Sequence, residues 1–253
     1  MASPTLLFRT AALGLLALAT LSGRAQNLPE GRVQDRNFNS WLVYDSDARL
    51  TDRWGLHTEG QWRRSQGVKK PMQDLARVGL NFYAGDHAIL TVGYAFALTH
   101  PYGDYPVAES FPEQRMYEQV LLRNAHGPFQ MTHRYRLEQR WLRLPEQDTY
   151  TYSNRIRYQF RTVLPLAGPM EVLHPNTPYL VASEELFVNF GSNVASQNIF
   201  DQNRAYAGVG YQITQATAVE LGYLHQLLAQ SNGNVYEHNH TVQVSVNFNP
   251  DFR

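Results

Sequence analysis

Hydrophobic and polar residues alternate with a period of two along most of the chain from Phe38 onward. The blocks are about ten residues long and are separated by Gly, Pro, Asn and Asp. In the block 54–63, Trp54 and Trp62 share one face, whereas His57 and Glu59 share the other. Successive side chains of a β-strand point to opposite faces, so this pattern predicts strands with one apolar and one polar side.

Eleven strands are visible, at 37–47, 54–64, 74–84, 88–100, 114–124, 129–142, 150–162, 179–190, 203–214, 217–228 and 239–248. Their connections alternate between short and long, as the turns and outer loops of transmembrane barrels do. The long ones are predicted at 67–71, 100–112, 191–202 and 229–237; 163–178 is long where a short turn is expected. Because single-chain bacterial barrels have even strand numbers, a further strand is predicted around 28–37, which gives twelve, with ten as the alternative.

An exported protein built from antiparallel strands has one of two architectures: a soluble sandwich or barrel, or a transmembrane barrel. Soluble strands are usually five or six residues long, whereas a tilted strand needs about 9 to 11 residues to cross a bilayer. The blocks have the longer length. Lysine occurs only at Lys69 and Lys70, and every other basic residue is arginine, which suits confined, carboxylate-lined space better than lysine does. We therefore expect an all-β, antiparallel transmembrane β-barrel of ten to twelve strands, with twelve favoured.

The N-terminus has the features of a secretory signal peptide. Arg9 precedes an apolar segment at 11–21, and Gly23-Arg24-Ala25 forms a small-x-small cleavage site. The apolar segment is too short for a membrane anchor. We expect a cleaved signal peptide at 1–25, a single barrel domain at 26–253, and a location in the outer membrane of a Gram-negative cell.

Composition excludes several classes of protein. The chain has no cysteine, which excludes disulfide scaffolds, thiolate metal sites and cysteine nucleophiles. It carries 22 basic and 22 acidic residues, without the basic excess of a nucleic-acid-binding protein. Beyond residue 25, no apolar run approaches the roughly 20 residues of a spanning helix. The expected partner is the lipid bilayer, with a monomeric barrel and no bound nucleic acid.

A basic stripe on two consecutive strands is the most distinctive cluster. Unpaired like charges on one wall would repel one another, so carboxylates from the same and other strands must meet them. The predicted lumen-lining residues are Arg134, Arg136, Glu138, Arg140, Arg155, Arg157, Arg161, Glu59 and Glu185. The stripe is open to two interpretations: a plug of Arg–carboxylate pairs, or an electropositive constriction that favours small anionic solutes.

Two weaker motifs favour ordinary structural roles. His225 with Ser231-Asn232-Gly233 lacks the compact His-x-Ser arrangement of outer-membrane lipid hydrolases, and Asn-Gly is a common turn. His238 and His240 share one side of a strand and Glu237 faces away, so two imidazoles alone do not define a metal site. We therefore expect no catalytic residue, no metal ligand and no cofactor.

Several segments resemble the bacterial outer-membrane family catalogued as domain of unknown function 2490. They are 133–140 (HRYRLEQR), 185–190 (ELFVNF), 200–204 (FDQNR), 208–211 (GVGY), 220–223 (ELGY) and the last strand, 240–248. The resemblance covers nearly the whole mature chain and implies an outer-membrane β-barrel. It implies no activity, substrate or catalytic residue.

The leading functional hypothesis is a porin-like barrel, a small passive pore or solute-binding channel with an arginine-rich lumen wall. The alternative is a structural or surface-interaction barrel with a closed lumen. A lipid-modifying enzyme ranks third, because the chain lacks the compact His-x-Ser motif.

Overall fold

The computed structural model describes residues 33–145, 148–168, 173–194, 199–230 and 234–253. Val33–Arg253 form one compact unit, and the regular structure in the described residues is all β. The strands are β1 (Val33–Arg49), β2 (Trp54–Ser65), β3 (Lys70–Tyr83), β4 (Ala88–Thr99), β5 (Phe111–His126), β6 (Phe129–Leu142), β7 (Thr151–Pro165), β8 (Thr177–Phe190), β9 (Phe200–Gln212), β10 (Thr217–Ala229) and β11 (Val235–Phe248). The predicted signal peptide lies outside the described residues.

The eleven described strands form a closed barrel in which each strand pairs with its sequence neighbours. These neighbours are antiparallel, but β1 and β11 pair in parallel, with Val33 beside Val235 and Asp45 beside Asn247. In a barrel of alternating strands the first and the eleventh run the same way, so their contact has to be parallel. The described barrel thus differs from the predicted antiparallel barrel of twelve strands. Residues 33–37 lengthen β1 instead of forming another strand, and residues 28–32 lie outside the described part.

The two ends of the barrel differ in their connections. At the end where β11 finishes, which we call the turn end, two to four residues connect β1 to β2, β3 to β4, β5 to β6 and β9 to β10. At the opposite end, the loop end, residues 100–110 connect β4 to β5 and 191–199 connect β8 to β9. The connection between β7 and β8 is long although it lies at the turn end, as its sequence predicts.

One predicted long loop is instead a tight turn. Only four residues separate β2 from β3, because Lys70 already begins the third strand. Gln66 and Gly67 adopt positive φ values of 51° and 73°. Two consecutive residues in the left-handed region are typical of a tight hairpin turn, so the prediction of a longer loop at 67–71 is wrong.

The barrel has an apolar outer face and a polar interior. Trp54 and Trp62 lie on the outside with 47% and 43% of their surface exposed, whereas His57 and Glu59 face inward and are buried. Among the buried side chains of the described residues, polar and charged ones outnumber hydrophobic ones. This is the reverse of the usual distribution in a soluble domain. Within the described residues, no helix is long and apolar enough to cross a membrane.

Inward-facing glycines make room for tyrosine rings in the interior. A Cβ on Gly93 would lie 2.6 Å from Cζ of Tyr117, and one on Gly222 would lie 2.5 Å from Cε2 of Tyr206. Contacts this short are not tolerated without displacement of the ring. Backbone carbonyl oxygens lie as close, Val78 O at Gly93 and Ala207 O at Gly222. Glycine is therefore required at these two positions by a neighbouring strand's tyrosine and backbone together.

A hydrophobic cluster occupies another part of the interior. It consists of Trp41, Met72, Tyr179, Val181, Tyr206, Ala218 and Leu224, which come from β1, β3, β8, β9 and β10. The charged residues of the predicted stripe come from β6 and β7. The interior thus combines an apolar wall with a charged one, and the functional candidates lie on the charged wall.

Candidate functional site

The predicted basic stripe occupies the inner faces of β6 and β7. The strand register places Arg136 directly beside Arg157, and Glu138 beside Arg155. Arg136, Glu138 and Arg157 are all buried. Two neighbouring buried guanidinium groups repel each other, so the arrangement requires carboxylates close by.

Glu138 is the central carboxylate. Its Oε2 accepts hydrogen bonds from Nη2 and Nε of Arg155 at 2.5 and 2.8 Å. Its Oε1 accepts one from Nη1 of Arg157 at 2.8 Å and lies 3.6 Å from Nη2 of Arg77 on β3. Glu138 has 0% of its surface exposed. One carboxylate thus bridges arginines from two other strands in space without solvent.

Glu113 and Glu185 also bridge arginines. Oε1 of Glu113 lies 2.7 Å from Nε of Arg115 and 2.5 Å from Nε of Arg140. Oε1 of Glu185 accepts hydrogen bonds from Nη2 of Arg157 at 2.6 Å and from Nη2 of Arg134 at 2.8 Å. Each carboxylate therefore bridges two arginines.

Glu59 provides a further bridge from β2. Its Oε2 is paired with Nη1 of Arg77 and lies 3.9 Å from Nη2 of Arg136. Arg136 also donates hydrogen bonds to Oε1 of Gln119 from Nε, at 2.9 Å, and from Nη2, at 2.5 Å. Arg77 thus joins the carboxylates of Glu59 on β2 and Glu138 on β6.

Aromatic rings support the guanidinium groups. The Tyr117 ring lies 5.2 Å from Cζ of Arg77 and 5.0 Å from Cζ of Arg136. The Phe187 ring lies 4.4 Å from Cζ of Arg157 and 4.7 Å from Cζ of Arg204. A cation over an aromatic face is attracted by the ring's negative face, so these rings help to hold the arginines in place.

We call this group of side chains the ionic layer. Its members are all buried, and they are Glu59, Arg77, Glu113, Arg115, Arg136, Glu138, Arg140, Arg155, Arg157 and Glu185. Arg136 and Glu138 retain 1% and 0% of their surface. Side chains therefore fill the interior at this level.

One cavity lies on each side of the ionic layer. The loop-end cavity, of about 220 Å³, is lined by Arg63, Arg77, Arg115, Arg140, Arg155, Arg157 and Arg204 and by only three carboxylates, Glu113, Asp201 and Glu237. The turn-end cavity, of about 360 Å³, is lined by five arginines, Arg123, Arg134, Arg157, Arg161 and Arg204, and by four carboxylates, Asp45, Glu59, Glu185 and Glu220. Gln61, Arg157 and Arg204 line both cavities.

The loop that connects β4 to β5 covers the loop-end cavity. The Tyr102 hydroxyl donates a hydrogen bond to Oε2 of Glu237 at 2.5 Å. The amide of Asp104 donates one to Oδ2 of Asp35 at 3.2 Å. These contacts tie the loop to β11 and β1, so Tyr102 forms part of the cavity wall.

The structure brings together most of the predicted site residues. Seven of the nine belong to the ionic layer, and Arg134 contacts it through Glu185. Arg161 lies apart, with Nη2 at 2.5 Å from Oε1 of Glu220 in the turn-end cavity. All nine face the interior.

The sequence analysis missed Arg63, Arg77 and the aromatic supports Tyr117 and Phe187. The sequence did contain one indication of their position. Each of these residues occupies an inward-facing position in the alternation of its own strand. Their proximity to the stripe depends on barrel curvature, which the alternation does not contain.

The histidines of the other candidate cluster lie on the outer face. The His225 ring centroid is 5.6 Å from that of His238 and 5.3 Å from that of His240. Glu237 points inward to Tyr102, away from these rings, in line with the predicted alternation. Residues Ser231-Asn232-Gly233 of the catalytic candidate lie outside the described residues.

A separate group of potential metal ligands is present near the turn end. Asp45, Asp47 and His57 place one ligand atom each within 4.8 Å of one another. Nδ1 of His57 is already hydrogen-bonded to Oδ1 of Asp47 at 2.9 Å, and Asn81 donates a hydrogen bond to the same oxygen at 2.7 Å. Internal hydrogen bonds thus hold Asp47 and His57, two of the three members of this cluster.

Comparisons with known proteins identify a family. The model of the family described as Protein of unknown function (DUF2490) matches residues 38–237, which is more than half of the 253-residue chain. Neither a curated protein nor a solved structure matches the chain. The match begins inside β1 and ends inside β11, so it spans the barrel, and the membership in domain of unknown function 2490 that the sequence resemblance implied is confirmed.

Proposed function

We propose that this chain, which belongs to the DUF2490 family of proteins of unknown function, is an outer-membrane β-barrel whose lumen is closed to passive flow. The observation that carries the proposal is the ionic layer. Arg136 and Glu138 have almost no accessible surface in the middle of the interior. A conducting pore requires continuous water along its axis, whereas this level is occupied by paired side chains.

The outer face supports a membrane location. Leu42, Val78, Val92, Leu221 and Val244 are each exposed by 40% or more on outward-facing strand positions. The strands have 12 to 17 residues, enough for the apolar band of an outer-membrane barrel. In water, so large an apolar surface would aggregate. A lipid environment removes that cost.

The rest of the proposal concerns export, oligomeric state and activity. The chain is exported through a signal peptide at residues 1–25, which is cleaved, and the barrel acts as a monomer in the bilayer. It has no enzymatic activity and requires no cofactor. Its role is structural, or it binds a solute or a surface partner.

A passive pore for small anions is the second candidate, and one observation favours it. The two cavities share Gln61, Arg157 and Arg204 in their walls. A change of side-chain rotamer at these positions would connect the cavities through an arginine-lined passage. Rings of charged side chains determine ion selectivity in pores.

Conductance in planar bilayers distinguishes the two candidates. We expect the unmodified barrel to give no steady single-channel current. Arg157→Ala combined with Arg204→Ala should introduce current steps, because it removes the two cations that separate the cavities. The matched control is Arg36→Ala with Arg64→Ala, two outward-facing arginines on β1 and β2, and it should remain silent.

Arg204→Ala alone keeps the experiment interpretable if the double variant does not fold, since Arg204 lies 3.9 Å from its nearest carboxylate, Glu185. Heat-modifiable migration on a gel reports folding for every variant. Steady current through the unmodified barrel would refute the closed lumen and support the pore.

A separate experiment tests the membrane location. The mature chain should require detergent to stay dispersed and should float with lipid vesicles in a density gradient. A monodisperse, compact particle in detergent-free buffer would contradict the proposed location while leaving the barrel fold intact.

A further inference from the structure

The loop-end cavity contains more positive than negative charge. Seven arginines and three carboxylates line it. One of these carboxylates, Glu237, is bound to Tyr102, Gln230 and Asn239 rather than to an arginine. The turn-end cavity has five arginines and four carboxylates. The lining of the loop-end cavity is therefore the more positive of the two, and Glu59, Glu138 and Glu185, which lie outside this lining, pair with its arginines Arg77, Arg155 and Arg157. Arg63 is not among these paired arginines.

Arg63 is the arginine with the weakest charge compensation in this cavity. It is 6% exposed, and no carboxylate of the described residues forms a salt bridge with it. Its Nε donates to Oε1 of Gln61 and its Nη1 to Oε1 of Gln73, both at 2.8 Å, and its Nη2 also donates to Oε1 of Gln61. Both acceptors are neutral amides. Burial of a cation without a counter-charge is costly, so this site favours an anion.

Arg204 joins Arg63 on the same aromatic support. Cζ of Arg63 lies 4.0 Å from the centre of the Trp41 ring, and Cζ of Arg204 lies 5.1 Å from it. Trp41 therefore lies against both guanidinium groups, and both arginines line the same cavity. A guanidinium edge matches the two oxygens of a carboxylate or phosphate.

The other side of the cavity is apolar. Val107, Phe111, Leu142 and Leu144 line it together with the ring of Tyr102. The volume of about 220 Å³ corresponds to roughly seven water molecules at about 30 Å³ each. A ligand of this size that is complementary to both the arginine side and the apolar side of the cavity has one oxyanion group and one small hydrocarbon group.

We propose that the loop-end cavity is a binding site for a small organic oxyanion, a carboxylate or phosphate ester with an apolar group of about the size of a benzene ring. The oxyanion contacts Arg63 and Arg204, and the hydrocarbon group lies under the β4–β5 loop. The proposal goes beyond the closed-lumen function, since it holds whether or not the barrel conducts. It is therefore tested by binding and not by current.

Calorimetric titration of the folded protein in detergent provides the test, with benzoate, phenyl phosphate and inorganic phosphate as probes and benzyl alcohol as the neutral analogue. We expect saturable binding of benzoate or phenyl phosphate, weaker binding of inorganic phosphate, and none of benzyl alcohol. Arg63→Gln should weaken binding about tenfold or more, because a charge-assisted hydrogen bond is lost.

The matched control is Arg64→Gln. Arg64 adjoins Arg63 in sequence, but its side chain contacts Trp62 and Asp74 and the backbone oxygen of Arg63 rather than the Arg63 guanidinium group, and its loss should leave the affinity unchanged. Arg204→Gln is the second variant if Arg63→Gln does not fold. Three results would each overturn the proposal: no saturable binding of either aromatic anion, binding of benzyl alcohol with equal affinity, or equal effects of Arg63→Gln and Arg64→Gln.

Discussion

The two cavities of the barrel are both lined by arginines on inward-facing strand positions. They differ in the ratio of arginines to carboxylates and in whether each arginine is paired with a carboxylate. In the turn-end cavity Arg161 and Arg134 each have a close carboxylate, Glu220 and Glu185 respectively. In the loop-end cavity the hydrogen-bond acceptors of Arg63 among the described residues are the neutral amides of Gln61 and Gln73. The difference separates two roles for buried arginine. Paired arginines stabilise the interior, whereas an arginine without a carboxylate provides a site for an anion.

The ionic layer maintains this difference. Glu138 and Glu113 form ion pairs with four arginines. Because their charge is compensated, these arginines do not attract a solute strongly. Breaking a buried ion pair by removing one partner is strongly destabilising, because the other charge remains buried. Removing a carboxylate from the ionic layer is therefore the most direct test of the difference between the two cavities.

Glu138→Ala should have the largest effect on stability. The substitution removes the carboxylate that Arg155 and Arg157 share, although Arg155 keeps Asp201 and Arg157 keeps Glu185. We therefore expect a loss of about 3 kcal/mol in the free energy of unfolding, the lower end of the range for a broken buried ion pair. Urea unfolding in detergent, followed by tryptophan fluorescence, measures it.

Glu118→Ala is the control, because Glu118 is an exposed, outward-facing carboxylate on β5. We expect it to cause no loss of stability. Equal losses in the two variants would mean that the ionic layer contributes nothing specific to the fold.

Gly93→Ala should have a smaller effect on the same layer. The added methyl group would lie 2.6 Å from Cζ of Tyr117, and the displaced ring would press on Arg77 and Arg136. We expect a loss of about 1–3 kcal/mol, as for other overpacked interiors.

Gly60→Ala tests whether that loss comes from overpacking. A Cβ on Gly60 meets no atom within 4 Å. Because alanine is favoured over glycine within a strand, this control should be neutral or slightly stabilising. A loss at Gly60 equal to that at Gly93 would mean that overpacking against Tyr117 and the Val78 carbonyl does not cause the loss.

The strands and their faces were predictable, because alternation is a local property of the extended backbone. Trp54 and Glu59 illustrate this, since their positions in one block determine that the first faces outward and the second inward. The register of the hairpin between β6 and β7 likewise keeps the predicted stripe on one wall.

The closure of the barrel and the charge partners were not predictable in the same way. Whether β1 pairs with β11 or with an additional strand depends on how many strands are needed to close the barrel. The even strand numbers of bacterial barrels led to the expectation of twelve, whereas the described strands close with eleven. Glu138 and Arg77 are 61 positions apart in the sequence and meet only through curvature. Side chains that meet across a lumen leave no periodic signal.

Tyr102→Phe should have the smallest effect, and it concerns only the loop-end cavity. The substitution removes the hydrogen bond from the Tyr102 hydroxyl to Glu237, and we expect a loss of about 1 kcal/mol. Tyr105→Phe is the control, because Tyr105 is 44% exposed and contacts Gln230 through its backbone oxygen, which the substitution retains.

The contribution of Tyr102 should depend on pH in a defined direction. Burial and the neighbouring Glu237 carboxylate raise the pKa of Tyr102 well above its usual value of 10.0. The folded state therefore binds the phenolic proton more tightly than the unfolded chain does, so the stabilisation is complete below pH 10 and decreases as the pH rises above it. Unfolding midpoints at pH 8 to 11 should show the difference between the unmodified barrel and Tyr102→Phe shrinking above pH 10. A difference that stays constant over this range would mean that the hydroxyl does not bond to the carboxylate, and the loop would then cover the cavity by packing alone.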